Sequence, residues 1–143
     1  MKYLVLALFM GISAEYSQNL ADDSNISCAR RLEIPLYPAL ADAARVSATV
    51  TAVVRVGPDG FAHEVHFDAG GGSTMQDLFV SSVKESLRAS DFVDVCKGKI
   101  VRIQFEFALG DKVGSQRVVF GFPNHFTILA PAKIVQGDVT SKK

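Results

Sequence analysis

Residues 49–67 read TVTAVVRVGPDGFAHEVHF and set the topology expected for the start of a sheet. Before the central GPDG, β-branched residues dominate and every second side chain is apolar, as is typical of a half-buried strand. In the turn, the proline fixes φ, the aspartate can hydrogen-bond its own backbone, and the final glycine accepts a positive φ. After the turn, Phe61, Val65 and Phe67 alternate on one side of a second strand. The sequence therefore predicts an antiparallel hairpin.

A long helix is predicted after this hairpin, over about residues 74–90. Ser73 stands three residues before Gln76, which is the spacing of a capping box at a helix start. Apolar residues then recur at helical spacing, with polar residues between them: Met75, Leu78, Phe79, Val83 and Leu87. We expect this apolar face to pack on the sheet.

Further strands are predicted downstream. Residues 100–109 (IVRIQFEFAL) show the most regular alternation in the chain, residues 117–122 (RVVFGF) form another strand, and residues 126–129 form a last short one. Upstream, Pro38 suits the first position of a short helix. These elements predict an α+β fold, in which a three- to five-stranded antiparallel sheet is packed by one long helix plus a short N-terminal helix.

The N-terminal residues have the pattern of an export signal. Residues 1–14 combine a lysine, the apolar run YLVLALFM and small residues that end at Ala14, which predicts a cleaved signal peptide. Residues 15–27 are predicted to be a flexible leader, residues 28–132 the domain and residues 133–143 a disordered tail. The predicted location is therefore periplasmic or secreted; an uncleaved membrane anchor is the alternative.

The two cysteines are interpreted in the light of export. Cys28 and Cys96 form an even pair in a chain predicted to enter an oxidising compartment, so one disulfide is expected. Two separate buried thiols are the alternative.

No pattern in the sequence predicts chemistry. Lys plus Arg and Asp plus Glu number 15 each, so no basic excess favours nucleic-acid binding. The sequence contains no GxSxG or HExxH motif, and its triglycine lacks the lysine of a phosphate-binding loop. His63 and His66 would point to opposite faces of a strand, which disfavours a shared metal ion. We expect neither enzymatic activity nor a cofactor or metal.

Two motifs carry a family resemblance. The segment YPALA at residues 37–41, followed by ARV at residues 44–46 and TV at residues 49–50, resembles the YP-x-x-A-x-x-x-R-[IV]-x-G-x-V pattern of TonB C-terminal domains. VGPDG at residues 56–60 resembles the V-x-PDG hairpin turn of the same family. The similarity covers residues 35–109 and is closest to short exported members without a Pro-rich spacer. Ala48 stands where the family has glycine.

The resemblance implies a binding mode. In this family, the third strand pairs with an extended segment of an outer-membrane TonB-dependent receptor. Transferred by position, the partner-binding residues are Tyr37, Pro38, Val101, Arg102, Ile103, Gln104, Phe105 and Glu106. Residues 117–122 could instead pair with this edge and cover it, which would leave Tyr37 in the core.

The predicted function is that of an exported, periplasmic protein-binding module. It would recognise an extended segment of an envelope protein by strand addition. The alternative is a structural or assembly domain that self-associates through its sheet edge as a homodimer.

Overall fold

The computed structural model describes residues 27–68 and 73–134. The predicted signal peptide, nearly all of the leader and tail, and the triglycine lie outside these described residues. Along the chain, the elements are β1 (Ala29–Arg31), α1 (Ala39–Ala43), β2 (Ala48–Val56), β3 (Ala62–Phe67), α2 (Thr74–Arg88), β4 (Asp91–Phe92), a 3₁₀ helix (Asp94–Cys96), β5 (Ile100–Leu109), β6 (Arg117–Gly121) and β7 (His125–Ala130).

The predicted α+β class is confirmed. The main sheet has five strands in the order β3-β2-β5-β7-β6, and β1 and β4 form a separate two-stranded sheet. The expectation of a wholly antiparallel sheet is wrong, because β5 and β7 pair in parallel. The chain leaves β5 through a loop, forms β6 at the outside, and returns as β7 between β6 and β5.

The predicted hairpin is present, with one departure from simple alternation. β2 and β3 pair antiparallel, and Gly60 takes the positive φ of 84° that the turn requires. An irregularity beside Val56 places Ala62 opposite it, so that Ala62 packs against the core. Phe61 is instead 43% exposed, and the prediction that it shares the apolar face of Val65 is wrong. An extra residue in one strand shifts the phase of its side chains.

The long helix begins as predicted and ends two residues earlier. The Ser73 hydroxyl accepts a hydrogen bond from the Gln76 N–H at 3.2 Å, and α2 runs from Thr74 to Arg88. Its buried apolar residues contact the core face of the sheet, where α2 lies mainly over β2 and β3: Phe79, Val83 and Leu87. No helix in the described part of the chain is both long enough and apolar enough to cross a membrane.

An extended stretch, residues 32–38, covers more of the core face; we call it the cover segment. Three serines that recur every four residues hold it against α2. The hydroxyls of Ser82 and Ser86 donate to the carbonyls of Leu36 and Glu33, and Ser90 Oγ accepts the Glu33 N–H. From the side of β6, Gln116 accepts from Tyr37 N at 2.7 Å and donates to Pro35 O at 3.0 Å.

The predicted disulfide is confirmed. Cys28 and Cys96 are both buried and bonded, with their Cα atoms 5.8 Å apart. The Cys28 carbonyl accepts from Val93 N at 2.9 Å, and Cys28 N donates to Asn124 Oδ1 at 2.9 Å. The disulfide therefore fixes the chain just before β1 to the 3₁₀ helix that follows β4.

Candidate functional site: the free strand edge

The strand that the family resemblance selects for binding lies inside the sheet. β5 pairs with β2 on one side, and over residues 104–109 it pairs with β7 on the other. The suggestion that residues 117–122 cover β5 is wrong in its detail, because β6 pairs with β7 and it is β7 that covers β5. Residues 104–109 are therefore not an edge in this structure.

The side chains predicted on β5 divide between its two faces. Those of Val101, Ile103 and Phe105 are buried in the core. Arg102, Gln104 and Glu106 lie on the opposite face, where Arg102 forms an ion pair with Asp68 and Glu106 Oε2 lies 3.2 Å from His125 Nε2. Arg102 and Glu106 therefore each have a polar neighbour within their own chain.

Tyr37 and Pro38 support the core in this structure. The Tyr37 ring packs edge-on against Phe79 and Phe107, with centroids 5.6 Å from each, and its hydroxyl donates to the Val46 carbonyl. Burial raises the pKa of Tyr37, and the negative charge of Asp42 raises it further. The Pro38 carbonyl accepts the Asp42 N–H of α1 at 2.9 Å.

Arg45, another residue of the resembling motif, also makes contacts that stabilise the fold. It has a φ of 54°, which is rare for a residue with a side chain. Its guanidinium lies 3.1 Å from Asp42 Oδ1 and 3.1 Å from the Pro131 carbonyl. Arg45 thus connects α1 to the chain after β7.

The true edges of the five-stranded sheet are β3 and β6. β3 is polar on its exposed face: Glu64 Oε2 lies 3.3 Å from Arg55 Nε, and His63 Nε2 lies 2.9 Å from Asp59 Oδ2. Charges and a bulge are the usual protection of an edge strand against pairing.

β6 has no such protection. Its apolar side chains are exposed by 37% at Val118, 53% at Val119 and 51% at Phe120, and Phe122 just after the strand is 62% exposed. We call these four residues the β6 edge. The charged residue of β6, Arg117, lies at its start, with its guanidinium 3.2 Å from Asp111 Oδ1. The sequence predicted this strand but not its exposure; the signal was an apolar run from residue 118 to 122 without a single charge.

The hydrogen-bond direction along β6 follows from its neighbours. Gln104 N donates to Asn124 O, so the even-numbered residues of β7 direct their backbone groups toward β5. The odd-numbered residues of β7 therefore bond to β6, where Val119 lies opposite Thr127. Because these directions alternate along a strand, the N–H and C=O groups of Val118 and Phe120 point away from the sheet.

A row of aromatic rings leads from the core to this edge. Phe105, Phe126 and Phe120 lie side by side on adjacent strands. The ring centroids of Phe105 and Phe126 are 5.7 Å apart, and those of Phe126 and Phe120 are 5.1 Å apart. Phe105 and Phe126 are buried, whereas the row ends in solvent at Phe120. The core face of the sheet thus extends beyond the layer that covers it.

Within residues 27–68 and 73–134, no group of three or more His, Cys, Asp or Glu side chains is placed to hold a metal ion. Neither a scan of protein-family models nor a search of curated proteins found a match to this chain.

Proposed function

We propose that this chain is an exported protein-binding module that receives an extended segment of another protein by strand addition at the β6 edge. The observation that carries the proposal is the pairing capacity of β6. Two of its residues, Val118 and Phe120, direct backbone donors and acceptors away from the sheet while their side chains remain exposed. An added strand would satisfy the backbone groups and bury the apolar side chains together.

The resemblance to TonB C-terminal domains supports a partner in the cell envelope, such as a segment of an outer-membrane receptor. The signal-like N-terminus and the Cys28–Cys96 disulfide support export. In the family, the partner pairs with the strand that corresponds to β5. A partner at residues 104–109 of this chain would first have to displace β7, so we place the added strand at β6 instead.

Site-specific photo-crosslinking in the native host tests this proposal. A crosslinker at Val119 is compared with one at Gln104 on β5 and one at His66 on β3, and the crosslinked peptides are mapped by mass spectrometry. We expect the crosslinker at Val119 to capture the partner. The side chain of Val118 lies on the opposite face of the strand, so a crosslinker there should reach a neighbouring residue of the same extended segment. Capture from Gln104 alone would move the site to β5, and crosslinks that scatter over unrelated residues would contradict strand addition.

A further inference from the structure

We propose that the segment received at the β6 edge is β6 of a second copy of this chain, paired antiparallel about a two-fold axis at Val119. This inference rests on the strand addition at the β6 edge that the proposed function describes, and it differs in the occupant, which is a second copy of this chain instead of an envelope protein.

The backbone of β6 is complementary to itself. In an antiparallel pair centred on Val119, Val118 of one copy lies opposite Phe120 of the other. These are the two residues whose N–H and C=O groups point away from the sheet. Each such pair exchanges two hydrogen bonds, so the two symmetric pairs form four bonds. This register also places all residues of Arg117–Gly121 opposite a residue of the second strand, whereas shifted registers leave part of β6 unpaired.

The side chains fit the same register. On the core side of the sheet, Val118 meets Phe120 of the second copy, which continues the row that begins at the buried Phe105. On the other side, Val119 meets its own symmetry mate. Apolar and aromatic cross-strand pairs of this kind stabilise antiparallel strands.

The charge of β6 also permits the pairing. Arg117 lies at one end of the strand and falls opposite Gly121 of the second copy, which has no side chain to displace. The two copies of Arg117 lie at opposite ends of the paired strands, each beside its own Asp111. Like charges directly opposite each other destabilise a pair, and this register brings none together.

Cysteine crosslinking tests the register. Val119 would face its symmetry mate at a non-hydrogen-bonded position, where Cα atoms lie about 4.5 Å apart, within the range that a disulfide spans. We expect full-length Val119→Cys to form a covalent dimer under mild oxidation, with a 119–119 linkage identified by mass spectrometry. Val118→Cys, which faces Phe120, and His66→Cys on β3 are the matched controls and should remain largely uncrosslinked.

Charges introduced at position 119 test the same pairing without oxidation. Val119 is more than half exposed, so Val119→Lys and Val119→Glu should fold as the parent chain does, as checked by thermal unfolding. Each variant alone should sediment as a monomer at micromolar concentrations where the parent is a dimer. An equimolar mixture should recover the dimer, because Lys then faces Glu.

The outcomes separate this inference from the proposed function. A parent chain that stays monomeric, or variants that dimerise as the parent does, would overturn self-pairing. If Val119 still captures an extended segment of another protein in the host, the binding module stands without self-pairing. If Val119 captures neither its own copy nor another protein, both proposals fail.

Discussion

At one edge of the five-stranded sheet, β3 presents His63, Glu64 and His66 to solvent, whereas at the other edge β6 presents Val118 and Phe120. β3 also carries a bulge beside the turn, and β6 pairs with β7 without irregularity. Unprotected edge strands pair with other chains, and charges and bulges prevent such pairing. The two edges of this sheet therefore differ: β3 has features that prevent the addition of another strand, and β6 lacks them.

The layer over the core face shows the same asymmetry. Next to the hairpin, Phe92 N donates to Gly60 O at 2.8 Å and Phe61 bridges to Asp91 of β4, so the small sheet closes that side. On the side of β6, Gln116 holds the cover segment, and beyond it the aromatic row ends exposed at Phe120. The layer therefore covers the core face on the side of the hairpin and leaves Phe120 exposed on the side of β6.

Removing the disulfide, which lies on the covered side, should cause the largest loss in the free energy of unfolding. The bonded cysteines are 68 residues apart in sequence, so Cys28→Ala with Cys96→Ala should lower the free energy of unfolding by about 4 kcal/mol on the chain-entropy model. Chemical denaturation of the parent with and without reductant should reproduce the loss. Equal midpoints in the two conditions would contradict this role of the disulfide.

Truncating the aromatic row should be the next largest effect. Phe126 is buried between Phe105 and Phe120, so Phe126→Ala should destabilise the chain by about 3 kcal/mol and loosen β6. Val65→Ala on the partly buried face of β3 is the matched control, and we expect a loss of about 1 kcal/mol there. Urea denaturation measures both losses. Equal losses would mean that β3 and β6 are held to the rest of the sheet equally strongly.

Removing the charges of β3 should make the two edges more alike. With Glu64→Val and His66→Val, β3 loses its exposed carboxylate and one of its two exposed imidazoles, and we expect self-association to strengthen by about tenfold, or 1.4 kcal/mol. Sedimentation velocity over a range of concentrations measures the change. Unchanged association would mean that the bulge, rather than charge, protects this edge.

The serines that hold the cover segment should contribute less. Ser86 is buried and its hydroxyl donates to the Glu33 carbonyl, so Ser86→Ala should cost about 1 kcal/mol. Ser82 donates to the carbonyl of the exposed Leu36, where water can replace it, so Ser82→Ala should have a smaller effect. Thermal unfolding of the two variants tests this order, and the reverse order would contradict it.

Periodicity predicted the elements but not the order of the strands. The alternation of residues 100–109 and the helical spacing of residues 74–90 identified β5 and α2, because both signals are local. That β7 inserts beside β5 depends on which distant strand competes best for its backbone, and no local pattern contains this information. The resemblance placed the partner-binding edge on β5, whereas β7 pairs with residues 104–109 of that strand, and this is why the proposed function uses β6 instead.

Very short elements also escaped prediction. β1 and β4 contain three and two residues, too few for any alternation to be recognised. The position of Phe61 was wrong because one extra residue in β3 changes the phase of every residue before it. Tyr37, in contrast, could be assigned either to binding or to the core from its motif, and its ring contacts place it in the core.

The smallest expected effect is a change in the pKa of Asp59, in the turn that precedes β3. The hydrogen bond from His63, followed by that from the Phe61 N–H, lowers the pKa of Asp59 below its usual value. The His63 ring lies over Gly57, where any side chain would meet it. His63→Ala should therefore raise the pKa of Asp59 toward the usual carboxyl value.

Because the folded state lowers this pKa, the linked stability is present above the ordinary carboxyl pKa and is lost as pH falls through the folded value. NMR titration of the Asp59 carboxyl carbon measures the shift directly. His66→Ala is the control, since His66 lies near Glu64 rather than Asp59. An unchanged Asp59 titration in His63→Ala would show that the backbone of the turn alone holds the carboxylate, and the protection of β3 would then depend on its bulge and on Glu64.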